Sequence, residues 1–412
     1  MSAESTTLAN LTELLKEYIT SDLVKDVGYK DNPLHALLKK DADSDFGGEY
    51  KPVPIVYSHN RGSATFATAL AQRRRARAKQ FQITTVDDYG VVEMSRKAIL
   101  AGSKNMHAFL SLKKVNIDST IYAVSRSLAA AEYGTSRGAI GTVGVDPGTG
   151  TSLTLANVED AVNFEEGTRF RIYDPSATAD RGTPTYPYEV ATIDRDTGVI
   201  TIATGVADAE TAFQALVAVS DEIVRDGDMS AKMSGLRAWI PPTAPSATSF
   251  FGVDRTADVV RLGGCRVTLT GLPIDEALLT LVERVNREGG RVSHLFINPT
   301  KWLQLQIKLG DKVIFDVAKS PDAKIGFPAI VLHSSKGPVM VVSDGNCPVA
   351  YTWALTLSTW TLDSVGMAPH VFDVGDSQEW LRYASADSYE MRVGYYAQLE
   401  CNEPGANGVG IW

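Results

Sequence analysis

Apolar positions along this 412-residue chain change their period several times, and each change predicts a different element. Between Met106 and Tyr133, Phe109, Leu112, Ile117, Ile121, Val124, Leu128 and Ala131 recur at steps of three to five. That spacing predicts one long helix of about 27 residues, roughly 40 Å at 1.5 Å per residue. No proline interrupts it, and Gly134 stands where a helix C-cap favours glycine. Far downstream, Tyr389, Met391, Val393, Tyr395, Ala397 and Leu399 alternate with Glu390, Arg392 and Glu400, which predicts a long half-buried strand.

The first 45 residues read as short helices joined by polar turns. Leu8, Leu11, Leu14, Leu15, Tyr18 and Ile19 form a narrow apolar stripe, and Asn32 with Pro33 begins a second helix over Leu34–Lys39. Neither helix is long enough to be stable alone, so the segment is an arm that must pack on something else. A strand over Tyr50–Tyr57 follows. Its Pro52 and Pro54 remove ladder donors, which predicts an edge or an exposed hairpin. Phe81–Val86 returns as the second leg, and Tyr89–Ala98 is a further strand.

From Gly138 to about Asp228 short β-rich runs take over: Leu153–Ala156, Arg169–Tyr173, Glu189–Ile193 and Val199–Ala203. Asp196, Thr197 and Gly198 between two of them are a hairpin signal. A small antiparallel β-domain is expected there. Pro241, Pro242 and Pro245 then make a stiff connector. After it come a helix from Pro273 closed by Gly289 and Gly290, a strand over His294–Asn298, and a helix from Pro299 to Gly310. Strands at Ile330–His333 and Val339–Ser343 follow, giving an α+β chain.

Composition narrows the function classes. The chain is 44% hydrophobic and 22% charged, proportions that exclude a disordered or collagen-like protein. A net charge of −9 argues against a surface that grips nucleic acid or anionic lipid throughout. Cys265, Cys347 and Cys401 are far apart and odd in number, so a disulfide framework is not expected and a reducing compartment is. Residues 1–20 do not have the pattern of a signal peptide, and no run is apolar enough for a transmembrane helix.

Convergent chemistry is hard to find. The six histidines form no metal-binding pair, and each reads as a surface or packing residue. Gly138, Gly141 and Gly144 imitate a dinucleotide fingerprint, but a helix precedes and β-structure follows, the reverse of what that motif needs. A flexible junction is the expectation. Asp87 with Asp88, and Glu165 with Glu166, read as solvated turn acids, because adjacent strand residues point to opposite faces. No catalytic residue, metal or cofactor is expected.

One segment stands out. His59–Gln80 holds Arg61, Arg73, Arg74, Arg75, Arg77 and Lys79 with no acidic residue. It could contact phosphates or pair with an acidic patch on a neighbouring subunit. Ala76 and Ala78 stand among the cations without a base-stacking aromatic, which favours the subunit contact.

The order of these elements resembles the major capsid protein of tailed bacteriophages, the HK97 fold. Tyr89–Leu100 with the helix that ends in Glu132, Tyr133 and Gly134 is similar to that family's passage from strand to spine helix. Phe250–Arg255, Phe296–Pro299 with Trp302, and Asp344–Pro348 resemble its axial-domain landmarks, and Tyr389–Cys401 its closing strand. The resemblance spans residues 46–137 and 232–412. It implies an N-terminal arm (1–45), an extended loop (46–88), a peripheral domain with the spine helix (89–137), an axial domain (232–365) and a peripheral return (366–412). The β-rich domain at 138–231 is an insertion that the minimal fold lacks.

By the same resemblance, copies would assemble as pentamers and hexamers into an icosahedral shell around double-stranded DNA, formed in the host bacterial cytoplasm and carried in the virion. The loop, with Arg61, Arg73, Arg74, Arg75, Arg77 and Lys79, would lie on an adjacent subunit, and the arm would pack through Leu8, Leu11, Leu15 and Tyr18. A separate scaffolding protein, a portal and a decoration protein are the implied partners, with no membrane. An encapsulin-like compartment shares the fold and is the alternative. A mixed α/β enzyme with a β appendage is a more distant one.

Overall fold

A computed structural model describes residues 32–42, 50–59, 63–71, 76–96, 106–176, 180–181, 187–204, 207–309, 329–372, 381–382 and 387–412, with backbone alone over 106–116, 207–209 and 329. The chain forms two compact units, Met1–Glu132 with Trp239–Trp412, and Tyr133–Ala238.

The first unit begins with a short helix α1 (Pro33–Leu37) and strand β1 (Lys39–Asp41). Asn32 stands at the α1 N-cap, but its side chain does not cap the helix; its Oδ1 accepts from Asn346 Nδ2 at 2.8 Å instead. β2 (Lys51–Ser58), a small helix α2 (Phe66–Ala71) and β3 (Arg77–Ile83) make a hairpin in which Lys51 pairs with Ile83 and Ile55 with Lys79. Pro52 and Pro54 take the exposed face, while Val53, Ile55 and Tyr57 are buried. A two-stranded ladder tolerates these prolines because their missing donors face no partner strand.

β4 (Val86–Ser95) leads to the long helix α3, Met106–Tyr133, with the bounds that its periodicity predicts. Its C-terminal half is well buried at Val124, Leu128 and Ala131. Gly90 lets the helix approach the strand: a Cβ there would lie 2.5 Å from Thr120 Cγ2 and 2.9 Å from Val124 Cγ2.

The second unit is a closed barrel. Its strands are β5 (Ala139–Val145), β6 (Ser152–Leu155), β7 (Arg169–Tyr173), β8 (Tyr188–Asp194), β9 (Val199–Ile202) and β10 (Glu222–Arg225), ordered β10-β5-β6-β9-β8-β7 around the barrel. Phe164, Phe170, Ile172, Tyr188, Ile200, Phe213 and Ile223 fill it. Gly198 ends the β8–β9 turn at φ +71°, as the Asp196–Gly198 signal predicts. The flexible junction expected at Gly138–Gly144 is wrong: from Ala139 onward these residues are strand β5, whose Gly141 and Gly144 admit Phe164 and the backbone of Ala156 at close range. A helix α4, Ala207–Leu216, was not foreseen, because a single turn of apolar residues among alanines has little periodicity.

The chain then returns to the first unit. β11 (Cys265–Thr268), α5 (Ile274–Arg287), β12 (His294–Ile297), α6 (Pro299–Leu309), β13 (Ala329–Ser334), β14 (Gly337–Ser343) and β15 (Tyr351–Leu355) come first. β16 (Trp360–Ser364), β17 (His370–Val371), β18 (Leu381–Arg382), β19 (Ser388–Cys401) and β20 (Gly408–Ile411) complete it. One six-stranded sheet has the order β11-β20-β15-β12-β14-β13 and buries Leu278, Leu281, Val282 and Val285 of α5. In the other sheet β19 pairs with β4, β16, β17 and β18, and β1 lies parallel to β16.

β19 is more buried than its alternation predicts. Glu390, Gln398 and Glu400 are buried as well as the apolar set. Period two identified one covered face; on the opposite face Gln398 and Glu400 are covered by Thr84 and Lys51, segments distant in sequence. Gly394 marks how tight the β4 pairing is, since a Cβ there would meet Asp88 O at 2.3 Å. Gly394→Ala is expected to destabilise the unassembled chain by about 1–3 kcal/mol, read as a fall in the urea midpoint. An unchanged midpoint would show that the strands separate at no cost.

Asp88 corrects a second expectation. It lies in β4 and accepts hydrogen bonds from Ser127 Oγ at 2.8 Å and Tyr395 Oη at 3.2 Å, so it ties strand to helix and is no solvated turn acid.

Candidate assembly surfaces

The β2–β3 hairpin is anchored at its base and bare at its end. Phe81 and Ile83 are fully buried. The Phe81 ring lies 5.2 Å from Trp239, which in turn meets Phe250 at 5.1 Å and Trp360 at 6.4 Å between centroids. Such tilted and edge-on contacts add about 0.5–1.5 kcal/mol per pair beyond burial. Trp239 Nε1 donates to Leu399 O at 2.9 Å, which leaves the indole no unsatisfied donor. Two hydrogen bonds fix the legs: Gln82 N donates to Phe251 O at 2.9 Å, and the Arg261 side chain donates from Nη1 to Tyr57 O at 2.7 Å. Arg255 lies over the Phe250 ring at 4.2 Å; burial first, then Arg266, pulls its guanidinium down to about 10.

A polar knot closes the same base. Lys51 Nζ lies 2.9 Å from Asp363 Oδ1 and 2.7 Å from Glu400 Oε2. Gln398 Nε2 donates to Thr84 O at 3.2 Å on the other leg. Burial, then the neighbouring Glu400 carboxyl, pushes Asp363 up to about 8 against the pull of Lys51.

At the other end, nothing among the described residues covers α2. None of its residues is buried, Phe66 is 84% exposed, and Leu70 and Val56 are exposed too. Phe66 and Leu70 make little contact with the described residues of the subunit. Of the basic residues singled out by sequence, Arg77 is exposed on β3 opposite Ser58, and Lys79 is half-buried opposite Ile55. They belong to a hairpin leg. Arg61, Arg73, Arg74 and Arg75 lie outside the described residues, as do Leu8, Leu11, Leu15 and Tyr18 of the arm.

Sequence reading passed over Phe66 and Leu70, although an apolar run inside a segment without acids could have drawn notice. It also passed over Trp239 as the anchor, since a single tryptophan beside a proline connector carries no period. A second open surface lies on the sheet face away from α3. Tyr89, Phe372 and Tyr396 cluster there, with Tyr89 and Tyr396 hydroxyls 2.7 Å apart and ring centroids 5.2–6.0 Å apart. Val91 beside them is exposed. Among the described residues no group of His, Cys, Asp and Glu could hold a metal, and no helix is long and apolar enough to cross a membrane. The three cysteines are buried as free thiols, and burial pushes Cys265 up to about 11, away from the reactive thiolate.

No protein-family model and no curated protein sequence matches the chain. Solved structures do. The capsid asymmetric unit of cyanophage A-1(L) superposes with a TM-score of 0.52 at 12% identity, over 97% of this chain and 97% of that one. A native GTA particle capsid aligns over 100% and 99% (TM-score 0.45, 11% identity), and the SrpI encapsulin of Synechococcus elongatus over 99% and 96% (TM-score 0.43, 9% identity). With a strand leading into a spine helix, an anchored hairpin with a bare end, and an α/β sheet closed by the terminal strands, the chain has the HK97 capsid fold, enlarged by a closed β-barrel between residues 133 and 238.

Proposed function

We propose that this chain is a shell-forming structural protein, the major capsid protein of a tailed bacteriophage, and that it acts by assembly with no enzymatic step. The observation that carries the reading is the hairpin, locked by aromatic packing at one end and presenting Phe66 and Leu70 to solvent at the other, on a chain with a capsid fold. Such an element reaches its free-energy minimum only against another copy.

Copies associate as pentamers and hexamers into an icosahedral head around double-stranded DNA. The loop of one subunit lies across the next, with Arg61, Arg73, Arg74, Arg75, Arg77 and Lys79 beside acidic groups of that neighbour. The arm straps through Leu8, Leu11, Leu15 and Tyr18. A scaffolding protein, a portal and possible decoration proteins complete the particle. The net charge of −9 suits a container that must not bind its genome tightly.

Charge reversal at Arg73, Arg74, Arg75 and Arg77 tests the contact. Sedimentation velocity after co-expression with candidate scaffolding partners is expected to show subunits and small oligomers in place of fast-sedimenting shells. Shells of normal yield, equally resistant to heat and salt, would overturn it. Particles that enclose a cargo enzyme and no DNA would replace the phage reading with the encapsulin one.

A further inference from the structure

We propose that Lys51, Asp363 and Glu400 form a proton-dependent latch that fastens the base of the β2–β3 hairpin to the sheet, closed while the two carboxyls share a proton and loosened when it leaves. The inference concerns the hairpin within one subunit and holds whatever the chain assembles into.

The geometry sets one cation against two anions in a covered place. Asp363 and Glu400 sit on adjacent strands β16 and β19, with Asp363 opposite Gln398 and Thr361 opposite Glu400. Glu400 and Gln398 share a strand face by the period of two, and both reach the hairpin: one to Lys51, the other to Thr84. The Asp363 side chain is 0% exposed and that of Glu400 6%, so water does not screen them. Lys51 can neutralise one carboxylate. The second must stay ionised without a counter-ion, at a cost of several kcal/mol, or bind a proton.

A hydrogen-bond count favours the proton. Asp363 Oδ2 is buried and has no donor. Asp363 and Glu400 meet the same Lys51 Nζ, at 2.9 and 2.7 Å, so the two carboxyls lie close together, and one shared proton supplies the missing donor and leaves a single carboxylate facing the ammonium. Burial, followed by Glu400, accordingly raises Asp363 to about 8. Lys51 loses some basicity to burial, but its two carboxylate partners more than restore it and keep it charged.

The adjoining elements add few competing charges. β1, beside β16, carries Lys39, Lys40 and Asp41, of which Asp41 is the register partner of Asp363. Burial lowers Lys40 to about 8, with Glu132 on α3 opposing it. On β3 the nearest charge to the base is Lys79, four residues above Ile83, and on β4 it is Asp87, beyond Thr84.

The sign follows from linkage. A carboxyl raised in the folded state contributes stability that is fully present below its unfolded value and is lost progressively as pH rises from there through the folded one. The latch is therefore tightest near pH 4, loosens steadily above it and is slack above about 8. The Gln398–Thr84 bond does not titrate, so the loss falls on the Lys51 leg.

Hydrogen exchange of the full, unassembled chain, followed by mass spectrometry and corrected for intrinsic rates, tests the proposal. Between pH 6 and pH 8, protection over residues 50–55 is expected to fall by up to about tenfold per unit and to level off above. Asp363→Asn and Glu400→Gln each replace the shared proton with a permanent amide donor, and each is expected to flatten that profile. A wild-type profile already flat from pH 6 to 9 would overturn the latch, whatever the variants do. So would folded variants that keep the wild-type fall.

Discussion

Trp239→Ala is expected to lower the unfolding free energy of the unassembled chain by about 3–5 kcal/mol, the cost of emptying a fully buried aromatic site. The indole is 0% exposed and touches Phe81 from the hairpin, Phe250 and Phe251 from the connector, and Trp360 from β16. Its removal also leaves Leu399 O without its Nε1 donor. The effect should reach further than stability. With the anchor gone the hairpin base loses its central aromatic contact, and Lys51, Gln398, Gln82 N and Arg261 are among the groups left to hold it, so shells should fail even where the chain still folds. Urea unfolding followed by circular dichroism gives the first quantity. A loss below about 1 kcal/mol would mean that Trp239 is not the keystone its contacts describe.

Phe66→Glu with Leu70→Glu should do the opposite: leave the subunit intact and abolish assembly. Both side chains are exposed, so unfolding free energy is expected to change by no more than about 0.5 kcal/mol. Shell yield is expected to fall at least about tenfold, because two charges would be buried without partners in a subunit contact. Normal shells from the double variant would place the contact elsewhere, with the Tyr89, Phe372 and Tyr396 face as the next surface to alter. The two variants separate fastening the hairpin from using it.

Elements whose order depends on local pattern were legible in the sequence. α3 runs from Met106 to Tyr133 as its period requires, α5 and α6 follow their proline starts and glycine ends, and β6, β7, β8 and β9 of the barrel fall within a residue or two of their β-rich runs. What could not be read was long-range. Glu400 looked like the exposed half of an alternating strand, and only Lys51, 349 positions earlier, explains its burial. Asp88 looked like a turn acid because Ser127 and Tyr395 are not near it in sequence. The glycines of β5 suggested flexibility, yet each is small because a neighbouring strand or Phe164 presses on it.

The assembly surface was half legible. The one-signed charge drew notice to residues 59–80, while its apolar end, Phe66 and Leu70, carries no charge or period to mark it. Order of elements supplied the fold; the side chains that use it emerged only when the hairpin had a base and an end.

Electron microscopy of the purified chain, alone and then with candidate scaffolding partners, tests the central claim most directly. Closed shells, or rings of five and six subunits, are the predicted result. A compact monomer that persists with every partner present would contradict it.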